Sequence, residues 1–352
     1  MSKRRRRQGK EDEPNYCYDR SGNKEKSLYL VLDDWHKGFT IRKIDADGPD
    51  LSVPPVLRLV SPERGRAMRF SALGSNIIAT SNIHAGTLFY DTDTAGLAVG
   101  GPVPDALLGG SNTFLTSGDG DALFAFAYHF MEQPVSFDAM TKPPTKDDED
   151  DLPTDWSWKS MPTPFTKEEE IFSYALHPDG RTIFVSSWSK ATSGTYSVDT
   201  RSCEWRRHEE WMLPFRGRGY FDAELDSWVG LHEDGYICSC HVASRSGATA
   251  QQPDWKMADE QRMWIPWHQL AKVQGATLTY MGNARFCLID CVAGDGVKFQ
   301  DAFGVAGGCV LHITTFRLRY DRHGRLRIID RSISSCPVSK HLTCFSPVAF
   351  WM

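Results

Sequence analysis

Short runs of alternating apolar and polar residues, broken by Gly, Asn and Asp, recur along the chain, and the stretch from Met68 to Pro104 shows the unit most plainly. It reads as four strands, Met68–Leu73, Asn76–Ser81, Thr87–Asp91 and Leu97–Gly100. The breaks are Leu73-Gly74-Ser75-Asn76, Ile83-His84-Ala85-Gly86 and Asp91-Thr92-Asp93-Thr94. β-branched and aromatic residues suit a pleated, half-buried surface, while Gly, Asn and Asp accept left-handed backbone or hydrogen-bond their own main chain. Four antiparallel strands in about forty residues make one propeller blade.

The first hairpin of this unit is expected to recur four more times. The copies are Phe114 to Phe126 around Gly118-Asp119-Gly120-Asp121, Tyr174 to Val185 around His177-Pro178-Asp179-Gly180, Trp228 to Cys240 around Glu233-Asp234-Gly235, and Leu278 to Ile289 around Gly282-Asn283-Ala284. Asp-Gly between alternating apolar residues is a strong short-range hairpin signal. The second half of the unit repeats as well. Gly86-Thr87 through Asp91-Thr92 to Leu97 aligns with Gly194-Thr195 through Asp199-Thr200 to Trp205, and Phe221-Asp222 before Trp228 and Tyr320-Asp321 before Leu326 are weaker echoes. Each Asp is expected to bond the N–H groups of its turn, and Leu97 and Trp205 to fill gaps between blades.

Two further hairpins frame the chain: Leu28–Leu32 with Phe39–Ile44, and Val310–Tyr320 with Leu326–Ser334. The apolar end, Phe345 to Met352, needs a partner and is expected to add a strand beside Leu28 to Ile44. The predicted architecture is an all-β, six-bladed β-propeller spanning residues 27–352, closed by its N- and C-terminal strands. Residues 1–26 form a polar tail expected to be disordered. Two insertions interrupt the blades: 142–155, acidic and flanked by Pro, and 244–275, with a short helix expected at Met257 to Met263 before Trp264-Ile265-Pro266-Trp267.

Composition narrows the function. The 352 residues are 41% hydrophobic and 24% charged, with a formal net charge of −5, giving no general attraction to nucleic acid or anionic lipid. No apolar run is long enough for a membrane span or a secretory signal. Nine cysteines then read as free thiols of a protein in the cytoplasm or nucleus. The block Lys3, Arg4, Arg5, Arg6 and Arg7 is either a nuclear-targeting signal or a solvated tail.

Candidate chemistry is sparse. Cys238-Ser239-Cys240-His241 and Cys287 with Cys291 fall on strands, with each pair of thiols on one face, where they read as core rather than as a zinc site. There is no Gly-x-Ser-x-Gly elbow and no phosphate-cradling loop. No catalytic residue, metal or cofactor is therefore assigned. His177, His232 and His241 lie on or beside inner hairpins and would matter only if the ring brought them together. Trp264 and Trp267, with Trp156 and Trp158, are the candidates for contact with a protein partner, or else cover the ends of blades.

The hairpin segments Tyr174 to Phe184 and Leu231 to Cys240, the blade ending Phe89-Tyr90-Asp91-Thr92-Asp93-Thr94, and the tail Phe345 to Met352 resemble a large plant family. That family is expanded in cereal grasses, carries a domain of unknown function and is often described as F-box or kelch-like. The resemblance implies a kelch-type propeller and carries no catalytic residues with it. The Gly-Gly pair usual in kelch blades is missing from most blades here, and the tail before Leu28 is too short and polar for an F-box. The expected function is a monomeric, non-enzymatic scaffold for a protein partner; the alternative is an enzyme with its site in the central channel.

Overall fold

The computed structural model describes residues 26–63, 65–81, 83–108, 111–117, 120–128, 134–142, 156–245, 252–258, 262–264, 273–298 and 301–352. The basic block, Trp267 and nearly all of the 142–155 insertion lie outside them. Among the described residues there is one 3-10 turn, Asp105–Leu107, and the remaining regular structure is strand.

The strands run β1 (Leu28–Trp35), β2 (Gly38–Ile44), β3 (Leu57–Val60), β4 (Met68–Leu73), β5 (Asn76–Ser81), β6 (Thr87–Asp91), β7 (Leu97–Gly100), β8 (Ser111–Thr116), β9 (Ala122–Tyr128), β10 (Ser136–Thr141), β11 (Ser157–Met161) and β12 (Glu170–Leu176). They continue as β13 (Thr182–Trp188), β14 (Ser193–Asp199), β15 (Glu204–Arg207), β16 (Arg216–Asp222), β17 (Ser227–Leu231), β18 (Ile237–His241), β19 (Trp255–Met257), β20 (Val273–Gly282), β21 (Arg285–Ala293), β22 (Cys309–Tyr320), β23 (Leu326–Val338) and β24 (Val348–Trp351). Four four-stranded antiparallel sheets have the orders β24-β1-β2-β3, β4-β5-β6-β7, β8-β9-β10-β11 and β20-β21-β22-β23. The fifth sheet has eight strands. In it the meanders β12–β15 and β16–β19 are joined by parallel pairing of β12 with β16, Tyr174 opposite Arg218. The chain end pairs as its apolar character demands: β24 lies antiparallel to β1, with Val31 opposite Val348 and Leu28 opposite Trp351.

Burial follows strand position. The second strand of each meander is covered on both faces, as in β5, β13 and β17, and therefore reads as a nearly continuous apolar run. Outermost strands such as β7 and β15 are largely exposed. Clusters of buried side chains lie between successive meanders. One cluster joins β20–β23 to the first sheet through Cys287, Ile289 and Leu311 against Leu28, Leu30 and Leu32.

The four-strand unit at Met68 to Gly100 forms as predicted from its turns. Its repeat in β14 and β15 is mechanical. Asp91 Oδ1 accepts the Asp93 N–H and Asp199 Oδ1 the Arg201 N–H, both at 3.0 Å. The following Thr92 and Thr200 hydroxyls each donate 2.8 Å to a carbonyl of the first hairpin's turn, Ser75 and Arg181 respectively. Three expectations are corrected. Leu97 is 53% exposed on the edge strand β7, whereas Trp205 does fill a gap, its ring against Phe137 and Phe165. The Trp228 to Cys240 hairpin is the second of its meander, since β16 precedes β17. Met257 ends strand β19 rather than starting a helix, because it pairs with Cys238.

Candidate functional site

β4, β8, β12, β16, β20 and β24, the first strand in each sheet or meander order, wall one cavity of about 570 Å³. They contribute Arg69, Phe114, Tyr174, Arg218, Thr279 and Phe350 in turn. Side-chain hydroxyls stitch these strands together. Thr116 donates to the Ala72 carbonyl at 2.6 Å, Thr277 to Pro347 at 2.7 Å, Thr279 to Ala349 at 2.9 Å, and Tyr220 to Leu278 at 2.9 Å. A wider cavity of about 900 Å³ adjoins it, ringed by the turns that follow β8 and β12 and by Lys159, Arg181 and Arg201. The two cavities share Thr116, Arg218, Tyr220 and Tyr280.

Arg218 comes to this junction through an alternation in β16, Arg216-Gly217-Arg218-Gly219-Tyr220. Successive residues of a strand face opposite ways, and although the pairing of β16 with β17 shifts register between Arg216 and Tyr220, Arg216, Arg218 and Tyr220 all line the narrower cavity. A Cβ on Gly219 would lie 2.3 Å from the Phe215 ring and one on Gly230 2.5 Å from it, so these two glycines together let that ring seat fully buried. The Arg218 guanidinium lies 4.6 Å from the Tyr220 ring centroid, and its Nε is shut off from solvent with no hydrogen-bond partner among the described residues. Arg216 differs, reaching Glu170 at 3.5 Å and lying over Phe172 at 5.1 Å. The narrower cavity thus holds three arginines, Arg69, Arg216 and Arg218, against one carboxylate, Glu170.

The acids and bases nearby are committed to structure. Asp222, fully buried, accepts the Tyr280 hydroxyl and the Ala284 N–H, both at 2.8 Å, and the Leu225 N–H at 2.9 Å. Burial and that bond to Asp222 push the Tyr280 phenol well up, and burial does the same to Tyr174. Burial opposes ionisation of Asp179, but the N–H groups of Thr182 and Arg181 and the Thr182 hydroxyl outweigh it and hold the carboxyl at about 2. His177 accepts the Asp179 N–H on Nδ1 at 3.1 Å, and burial lowers its pKa against the pull of Asp179. His232 repeats the device in another turn, accepting the Asp234 N–H at 3.2 Å. These histidines close His-x-Asp-Gly turns; His177 lines the wider cavity and His232 lines neither.

The two thiol pairs singled out in the sequence do not converge on each other. Cys238 and Cys240 belong to the cluster of Phe184 and Trp228, while Cys287 and Cys291 belong to the cluster joining β20–β23 to the first sheet. Burial pushes Cys240 and Cys287 up to about 12, as apolar packing of neutral thiols requires. Trp264 is 4% exposed and sits in the core with Val229, Ile237 and Phe286, held beside the β17–β18 turn by the Met263 N–H bond to Gly235 O at 2.7 Å. Trp156 and Trp158 are half-buried against the cluster of Leu123 and Met140.

Arg69, Arg216 and Arg218 were not among the sequence candidates. The alternation of Arg with Gly in β16 was the available signal, since a long cation on every second residue of a strand with glycines between marks a polar face that must meet water or a ligand.

Among solved structures the chain is similar to TolB from Acinetobacter baumannii, at 13% identity over 93% of this chain and 66% of that one, with a TM-score of 0.47. It is also similar to a candidate 6-phosphogluconolactonase from Bacteroides uniformis, at 13% identity over 90% and 84% with a TM-score of 0.47, and to a protein from Lactobacillus plantarum, at 12% over 93% and 99% with a TM-score of 0.48. This chain therefore spans just under two thirds of the length of that TolB. No curated protein matches it in sequence. The sequence model of a protein family of unknown function, DUF1668, matches residues 25–336, nearly all of the described sheets, and the chain belongs to that family.

Proposed function

We propose that the protein is a six-bladed, kelch-like β-propeller that acts as a non-catalytic scaffold for a protein or peptide partner in the cytoplasm or nucleus. In this reading the eight-stranded sheet is two blades, and β24 completes the blade of β1, β2 and β3. Support for a ring comes from the order of the core clusters, each bridging neighbouring meanders, with one bridging the last to the first.

The observation that carries the binding reading is one cavity walled by a strand from every meander, opening to a wider, cation-rimmed cavity in which the acids and bases are tied into turns. An enzyme for hydrolysis or sugar chemistry in this channel would need an acid or base held ready for substrate, and Asp179, His177 and Asp222 are engaged in turns and strand-end contacts instead. Loops and turns on a rigid frame are where such folds recognise partners.

Selection of displayed peptides against the folded protein tests the reading. Peptides that bind the wild type and are lost on a Lys159→Glu/Arg201→Glu double variant, both exposed rim positions, are expected. Failure to select any peptide, or unchanged binding to the double variant, would overturn it.

A further inference from the structure

The geometry points to Arg218 as the recognition group for a compact oxyanion, a carboxylate or phosphate carried by the ligand, at the junction of the two cavities. This rests on the binding reading above and names the chemistry of its centre.

Three observations converge. A guanidinium nitrogen shut off from water is costly unless it is paired, and the largely buried Arg42 shows how this chain solves that problem elsewhere. Arg42 reaches Asp34 at 2.8 Å and donates to the Leu51 and Val53 carbonyls at 2.9 Å. Arg218 has no such carboxylate and no hydrogen bond among the described residues, and it is held only by the face of Tyr220. Stacking on an aromatic face fixes the plane of a guanidinium while leaving its two Nη groups at the edge, which suits a forked contact to an oxyanion.

The surrounding charge agrees. Arg69 and Arg216 share the cavity with Arg218, and its one lining carboxylate, Glu170, is paired with Arg216. A second donor stands beside Arg218. Tyr174, its register partner across the parallel β12/β16 pair, makes only a long 3.5 Å contact to the Phe114 carbonyl, and burial keeps its phenol protonated. The Thr116, Thr277 and Thr279 hydroxyls of the wall are spent on inter-strand stitches, which leaves the arginine and this phenol side by side as donors.

The test is a titration of the folded protein with inorganic phosphate and, separately, with citrate, following the arginine Nε–H resonances by NMR and the unfolding temperature by calorimetry. The Arg218 signal is identified by its absence from the Arg218→Lys spectrum. Saturable movement of that signal by one or both anions is expected, with the better anion separating phosphate from carboxylate recognition. Affinity should fall by about tenfold or more in Arg218→Lys, which keeps the charge but loses the fork. It should be unchanged in Arg206→Gln, a cation on the outer strand β15. An Arg218 resonance unmoved by either anion, or Arg218→Lys binding like the wild type, would overturn the assignment. Peptides selected as above that still bind Arg218→Lys at full strength would overturn it too, while leaving the scaffold reading in place.

Discussion

The Lys340 ammonium lies 2.6 Å from Asp33 Oδ1 with both side chains almost wholly buried, tying the end of β1 to the segment that leads into β24. The pair is fully dressed. Lys340 also donates 2.8 Å to the Phe345 carbonyl, and Asp33 Oδ2 accepts the Leu342 N–H at 2.7 Å and the His341 N–H at 3.2 Å. It orients the returning chain so that Val348 to Trp351 can zip onto β1. Removing one partner would leave a lone buried charge, so Asp33→Ala is expected to cost about 3–5 kcal/mol in urea unfolding. The double replacement Asp33→Asn/Lys340→Met, which removes both charges and keeps an acceptor for the Leu342 and His341 N–H groups, should recover part of that loss. Equal losses from the single and double variants would show that the pair does not act as a pair.

The hydroxyl stitches around the narrower cavity are individually small. Thr279→Val keeps the shape of a buried residue but deletes the bond to the Ala349 carbonyl, and is expected to cost about 1 kcal/mol. The local signature matters more: amide exchange should quicken across Val348–Trp351 before it does in β5 or β13. Uniform quickening would point to a global effect instead.

Trp264 is a packing residue by its surroundings. Its truncation to Ala is expected to cost about 3–5 kcal/mol, comparable to Trp228→Ala, measured by denaturant titration. Partner loss in a Trp264 variant therefore reports on folding unless stability is matched first. A cost near zero would return this residue to the candidate surface.

Two carboxylates give opposite pH dependences. Burial raises Asp290, opposite His312 across β21 and β22, from 3.8 to about 6, with the His312 charge opposing. The unfolded chain ionises this group first, so its contribution to stability is greatest below about 4 and is lost as pH climbs towards 6. Asp290→Asn should flatten the stability curve across that interval. A curve unchanged by the substitution would remove Asp290 as its source.

Asp179 behaves conversely. With its carboxyl held at about 2 against an ordinary 3.8, it stabilises the fold above pH 3.8 and loses that contribution as pH falls through 2. Allowing for its partial exposure to solvent, Asp179→Asn is expected to cost about 1 kcal/mol at neutral pH and little near pH 2, by chemical unfolding at the two pH values.

The strands, most of their turns and the pairing of the apolar end with β1 follow from local rules. Alternation sets the pleat, Gly and Asp set the breaks, and a water-averse terminus must find an edge. The Asp-Thr repeat was legible for the same reason, since each carboxylate bonds its own next two or three residues. Whether a hairpin came first or second in its meander was not legible, because β16 carries Arg and Gly where an apolar strand was sought. The cation-bearing cavity, the burial of Trp264 and the Asp33–Lys340 contact were decided only by tertiary structure. Arg69, Tyr174, Arg218 and Phe350 are scattered over nearly three hundred residues and come together because each lies on the strand of its sheet that lines the narrower cavity. Local periodicity records which side of a strand is polar, but only the packing of sheet against sheet determines what that side faces.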